Sequence, residues 1–187
     1  MKKKTILRIV LLPLIPLSVP MAAMLFDVDG WSWHAADFMV MWALMTVAGF
    51  AYAFITRNTV RMAYRIATAL ALLTGFMLVW VNGAVGIIGS EENPANLMYG
   101  GVLLVGLVGA TLARLQAGGM ARALFATTLA QLLVPVIAMI IREDDFAPGV
   151  FPVFGLNALF ALLFAGSALL FRHAAHPPLS PGMTPAA

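Results

Sequence analysis

The sequence predicts an all-α protein, a polytopic membrane helix bundle of six transmembrane helices with both termini on the cytoplasmic side. Three observations carry this. The chain of 187 residues is 62% hydrophobic and only 10% charged, whereas soluble domains run at about a quarter charged. Its apolar residues fall in continuous runs of about 20, the length that crosses about 30 Å of hydrocarbon at about 1.5 Å per residue. Its acids and bases segregate between alternate links. The runs lack the alternation of a barrel strand, so helices are expected.

The first span, Ile6–Phe26, follows Lys2, Lys3 and Lys4 and includes Arg8. A cleaved signal peptide would share those lysines. Pro13, Pro16 and Pro20 interrupt the run, however, and Pro20-Met21-Ala22-Ala23 lacks small residues at both cleavage positions. A retained, proline-bent helix is therefore expected. Next comes a link holding Asp27, Asp29, His34 and Asp37, then the second span, Phe38–Thr56. Asp27-Val28-Asp29-Gly30 lacks the further ligands of a calcium loop. His34 and Asp37 read as a solvated helix entry, with Trp31 and Trp33 at headgroup level.

Arg57, Arg61 and Arg65 precede the third span, Ile66–Ile88. Continued as a helix they would form one basic stripe able to attract anionic membrane lipids. The third span runs through Gly83, Gly86 and Gly89 into Glu91-Glu92-Asn93-Pro94, and the fourth is Leu97–Ala113. Asn93 suits a helix N-cap and Pro94 the first helical position. The two glutamates then lie near the positive end of the fourth helix. The glycines are expected on one helix surface, facing a similar strip of Gly100, Gly101, Gly106 and Gly109 on the next span, where close backbone approach favours packing. Arg114 and Arg122 separate this span from Ala123–Ile141, and Glu143, Asp144 and Asp145 lie before Phe151–Phe171.

Apart from Arg142, the Lys and Arg residues fall at one side of this layout, and all eight acids fall at the other. The positive-inside rule places the basic side in the cytoplasm. Residues 1–171 form one six-span domain, and the Pro/Ala-rich segment 172–187 is expected to be a disordered cytoplasmic tail. His173 and His176 read as part of that tail rather than a metal pair.

Without cysteine, thiolate metal sites and Cys nucleophiles are excluded. No HExxH, GxSxG or P-loop pattern occurs, and no basic face with stacking aromatics points to nucleic acid. No catalytic residue, cofactor or metal site is expected. No charge lies deep in a span, as an ion-driven pump requires.

The polar residues inside the spans are the candidates for function. Asn82, Asn157 and Gln131 each need a hydrogen-bond partner in hydrocarbon. They read either as helix–helix contacts, with Asn82 and Asn157 level enough to pair, or as the wall of an outward vestibule rimmed by Glu91, Glu92 and Asn93. The first reading implies a scaffold or accessory protein, associating with itself or with a membrane-protein partner through its small-residue faces. The second implies a small-solute channel or transporter, and an intramembrane enzyme or lipid-handling protein is a third possibility.

The segments WVNGAVGIIGSEENPANLMYGGVL (80–103), AYRIA (63–67), GMARALFATTLAQLLV (119–134) and GSALLFRHAA (166–175) resemble a group of small, uncharacterised bacterial inner-membrane proteins. The resemblance implies a multi-pass protein of the bacterial inner membrane and brings no activity or site residue.

Overall fold

A computed structural model describes residues 3–29, 31–141 and 148–176. Among them there is no strand, and six helical stretches are long and apolar enough to cross a membrane: Lys3–Leu25, Ala35–Thr56, Met62–Val85, Pro94–Leu112, Ala117–Ile141 and Val150–Ala175. Residues Arg142, Glu143, Asp144 and Asp145 and the segment 177–187 lie outside the described residues. The chain divides into two compact units, Met1–Arg57 and Asn58–Ala187.

The first unit holds α1 (Lys3–Leu11), α2 (Leu14–Leu25) and α3 (Ala35–Thr56). Pro13 interrupts the first span, because it lacks an N–H and biases Leu12 away from helix. The break leaves the Val10 carbonyl near the end of α1 without its continuing turn. Trp42 of α3 supplies the donor, with Nε1 3.0 Å from Val10 O. Gly49 lets the same two helices meet, since a Cβ there would lie 2.9 Å from Ile9 Cγ2.

The link between α2 and α3 resolves into two helix ends. Asp27, at φ 49°, ends α2 in a Schellman turn: its N–H bonds Met24 O at 3.2 Å, and Val28 N–H bonds Ala23 O at 3.0 Å. At the start of α3 the N-cap is His34, whose N–H donates to Asp37 Oδ2 at 2.7 Å. Trp33 packs edge-on against Phe38 with centroids 5.1 Å apart, a hydrophobic staple across the N-cap. Asp27, His34 and Asp37 of this link therefore serve its helix ends.

The second unit holds α4 (Met62–Val85), a 3₁₀ turn (Pro94–Leu97), α5 (Met98–Leu112), α6 (Ala117–Ile141) and α7 (Val150–Ala175). Helix α7 packs along both α6 and α4, α5 packs along α6, and α4 touches α5 only slightly. The expected facing of two glycine strips across the α4–α5 hairpin is not what forms. Helix α4 ends at Val85, so Gly86 (φ 70°) and Gly89 (φ 69°) lie outside it in backbone that favours glycine. A Cβ on Gly86 would come 2.5 Å from the Ser90 carbonyl. Gly106 and Gly109 face α6 instead, where added Cβ atoms would lie 3.2 Å from Thr127 Oγ1 and 2.6 Å from Ala123 Cβ. Gly83, Gly100 and Gly101 open onto free space.

The arginine-bearing end of this unit is tied by side chains to backbone carbonyls. The α5–α6 turn reverses through Arg114 (φ 48°) and Leu115 (φ 59°). Tyr64 Oη donates to the Leu115 carbonyl at 2.6 Å, while its ring meets Phe171 edge-on at 4.9 Å. Arg61 Nη1 donates to Ala174 O at 2.6 Å, satisfying a carbonyl at the negative end of α7. Ser167 Oγ donates to Ala67 O at 2.7 Å in the α4–α7 seam, where Ala67 and Ala168 are fully buried.

Two expectations are corrected at this end. Arg57, Arg61 and Arg65 do not share a helix: Arg57 caps α3, Arg61 precedes α4 in extended backbone, and only Arg65 is helical. Five residues between the helices, 57–61, break the periodicity that a stripe needs. Helix α7 also continues to Ala175, so residues 172–175 are helical rather than tail. Arg172 and His173 stand in its last turn, where positive charge complements the helix dipole.

Candidate functional site

The polar residues gather at the opposite end, around the chain reversal between α4 and α5. The reversal is unusual in burying Ile87 and Ile88, which are 3% and 1% exposed. Their backbone groups must then be satisfied within the protein. Asn96 does most of this. Its Oδ1 accepts from Ile87 N at 3.2 Å and Ile88 N at 3.0 Å. Its Nδ2 donates to Ile88 O at 3.1 Å and Ser90 O at 2.7 Å. One carboxamide thus replaces the pairing a regular element would supply. Asn93 caps the 3₁₀ turn, Oδ1 accepting from Ala95 N at 2.9 Å, and Pro94 follows at the first position.

Tyr99 lies three residues beyond Asn96 and points into the bundle, 1% exposed. There it meets Asn157 of α7 and, through it, Gln131 of α6, both fully buried. Asn157 Nδ2 donates to Val153 O at 2.8 Å and to Tyr99 Oη at 2.9 Å. Tyr99 Oη also lies 3.1 Å from Asn157 Oδ1, and Gln131 Nε2 donates to that same oxygen at 2.8 Å. Three helices are joined by a single buried amide. Such a network fixes the rotation of each helix about its axis, which apolar contact with lipid-like neighbours leaves loose.

Asn82 and Asn157 do not pair with each other. Asn82 Nδ2 donates instead to the Asn96 carbonyl at 3.3 Å, and its Oδ1 is buried with no donor among the described residues. The slight α4–α5 contact brings the end of α4 to the 3₁₀ turn, while Asn157 is taken up by α5 and α6. Glu91 and Glu92 are exposed in the reversal, ahead of the turn that Asn93 caps. Among the predicted residues, therefore, Gln131 and Asn157 come together, Asn82 and Asn93 serve the reversal, and the glutamates stay at the surface. Asn96 and Tyr99 were not anticipated. Their signal was the Asn-x-x-Tyr spacing, which places both on the inward side of one turn.

Two shallow grooves accompany the fold. One, about 220 Å³, is lined by Pro94, Ala95, Met98, Ala138 and Ile141 and carries no polar side chain. The other, about 350 Å³, lies at the end of α7 beside Leu169, Arg172, His173 and His176. Among the described residues no cluster of three His, Cys, Asp or Glu side chains forms. Comparison with protein-family models, curated proteins and solved structures finds no match.

Proposed function

We propose that this chain is a multi-pass protein of the bacterial inner membrane, with both termini cytoplasmic, that acts as a scaffold or accessory component rather than as a conduit. The observation that carries the reading is the buried Tyr99–Asn157–Gln131 network. A solute path through this end would line itself with solvated amides. Here Asn157 and Gln131 are fully buried, and Asn157 spends its hydrogen bonds on Tyr99, Gln131 and the Val153 carbonyl of its own helix. The open glycines Gly83, Gly100 and Gly101 supply a surface where the helix of a second copy or of another membrane protein can approach closely. Anionic lipids fit the exposed Arg57 and Arg65, because Arg61 is engaged with the Ala174 carbonyl.

A second reading, a small-solute channel or transporter with a vestibule at Asn82, is favoured by one observation: Asn82 Oδ1 has no donor among the described residues. The cysteine-free background separates the two. Single cysteines replacing Asn82, Glu92 and Gly118 are treated in intact cells with impermeant and with small water-soluble thiol reagents. The scaffold reading expects labelling at position 92, none at 118 and protection at 82. Free reaction at 82 turns the choice to the vestibule, and labelling at 118 but not 92 reverses the orientation. Partners recovered from native membranes in mild detergent would then name what the scaffold serves.

A further inference from the structure

The orientation of the buried amides is fixed by chemistry. The Val153 carbonyl can only accept, so the Asn157 atom beside it must be Nδ2. That turns Asn157 Oδ1 toward Gln131, which must answer with Nε2. Gln131 Oε1 is left facing elsewhere in a residue with no exposure, and no donor among the described residues reaches it. Flipping the amide would only bring two oxygens together. Buried acceptors are rarely left in this state, since a stranded group bears its full desolvation penalty.

A second acceptor belongs to the same residue. Pro135 lies four residues on, inside α6, and has no N–H to return to the Gln131 carbonyl. In membrane helices such freed carbonyls are met by neighbouring side chains or by ordered water. Gln131 therefore presents two acceptor oxygens, while one of its two amide protons is spent on Asn157.

We propose that the interior of the second unit holds one sequestered water molecule, donating to Gln131 Oε1 at the proline position of α6. Water suits the site because it brings two protons to a residue with acceptors to spare. A cation does not, because Tyr99, Asn157 and Gln131 are neutral and bring no carboxylate to offset its desolvation. The water completes a polar core tying α5, α6 and α7. It does not extend the core toward solvent, so the inference goes beyond the scaffold reading without depending on it.

Proton-detected solid-state NMR of the full chain in lipid bilayers, with Asn and Gln side chains labelled with nitrogen-15, tests this directly. Magnetisation starting on water is followed into the side-chain amides. The expected result is transfer to Gln131 Nε2 several-fold stronger than to Asn157 Nδ2, whose protons are committed to Val153 O and Tyr99 Oη. Gln131 no stronger than a silent Asn157 overturns the proposal and leaves a dry acceptor. Strong transfer to Asn82, Gln131 and Asn157 alike also overturns it, because the water is then exchanging along a path, the result the vestibule reading requires. Exposed Asn58 is the positive control.

Discussion

The two compact units are built from similarly apolar spans of 19 to 26 residues, yet they are held together by different means. In the first, one side-chain hydrogen bond crosses between helices among the described residues, from Trp42 to Val10, beside the Gly49–Ile9 approach. In the second, Tyr64, Arg61, Ser167, Tyr99, Asn157 and Gln131 all bond across helices or to the turns joining them. Lipid is as apolar as leucine, so hydrophobic area cannot by itself choose a helix neighbour over solvent lipid. Polar pairs and small-residue contacts make the choice, and the second unit has many more of them. It is expected to be the rigid part of the molecule, and the first the more adaptable hairpin.

The sharpest way to break this comparison is Asn157→Leu. The substitution strands Gln131 Nε2 and removes the amide between Tyr99 and Val153. Each stranded buried group costs about 1–3 kcal/mol, so this variant should show the largest loss of thermal stability in detergent. Adding Gln131→Leu should recover part of the loss, and the double-mutant cycle measures their coupling. Additive effects would mean that the network does not act as a unit.

The glycines give a smaller and more selective effect. Gly109→Leu must drive a side chain into Ala123, whose Cβ already lies 2.6 Å from the position of an added Cβ. Overpacking of this kind costs about 1–3 kcal/mol. Gly83→Leu projects into open space and should leave the isolated chain's melting unchanged, while disturbing any association through that face. Equal destabilisation by both would show that the α5–α6 contact is not selective for small residues.

The contrast also marks what could be read from the sequence. The six apolar stretches and the Asn93–Pro94 cap were legible because length, hydropathy and capping chemistry are local. Gln131 and Asn157 were visible as polar residues in apolar runs, but their pairing depends on how α6 and α7 rotate against each other. Gly86 and Gly89 were misread because a three-residue spacing looks helical until the backbone turns to positive φ. Arg57, Arg61 and Arg65 misled in the same way, since the helix break between Thr56 and Met62 carries no strong punctuation. Tyr99 was not singled out, because an aromatic in an apolar run gives no local sign of the amide it meets.

Trp42→Phe gives the smallest effect and tests whether the first unit is energetically its own. An aromatic ring is kept, though a smaller one, while the donor to the Val10 carbonyl is lost. A single hydrogen bond contributes about 0.5–1.5 kcal/mol net, and Val10 O belongs to a helix end that Pro13 has already opened. The loss should therefore surface as local opening, with little change in overall melting. Hydrogen exchange should quicken at the end of α1 and around the Leu12–Pro13 break, because those amides depend on α3 holding α1 in place. Amides of α6 and α7 should exchange as before, since their protection rests on Asn157 and Gln131. Faster exchange throughout α6 and α7 would mean that the two units open cooperatively, and the hairpin could no longer be treated as separately adaptable. Unchanged exchange in α1 would show that the Gly49–Ile9 contact alone is enough to hold it.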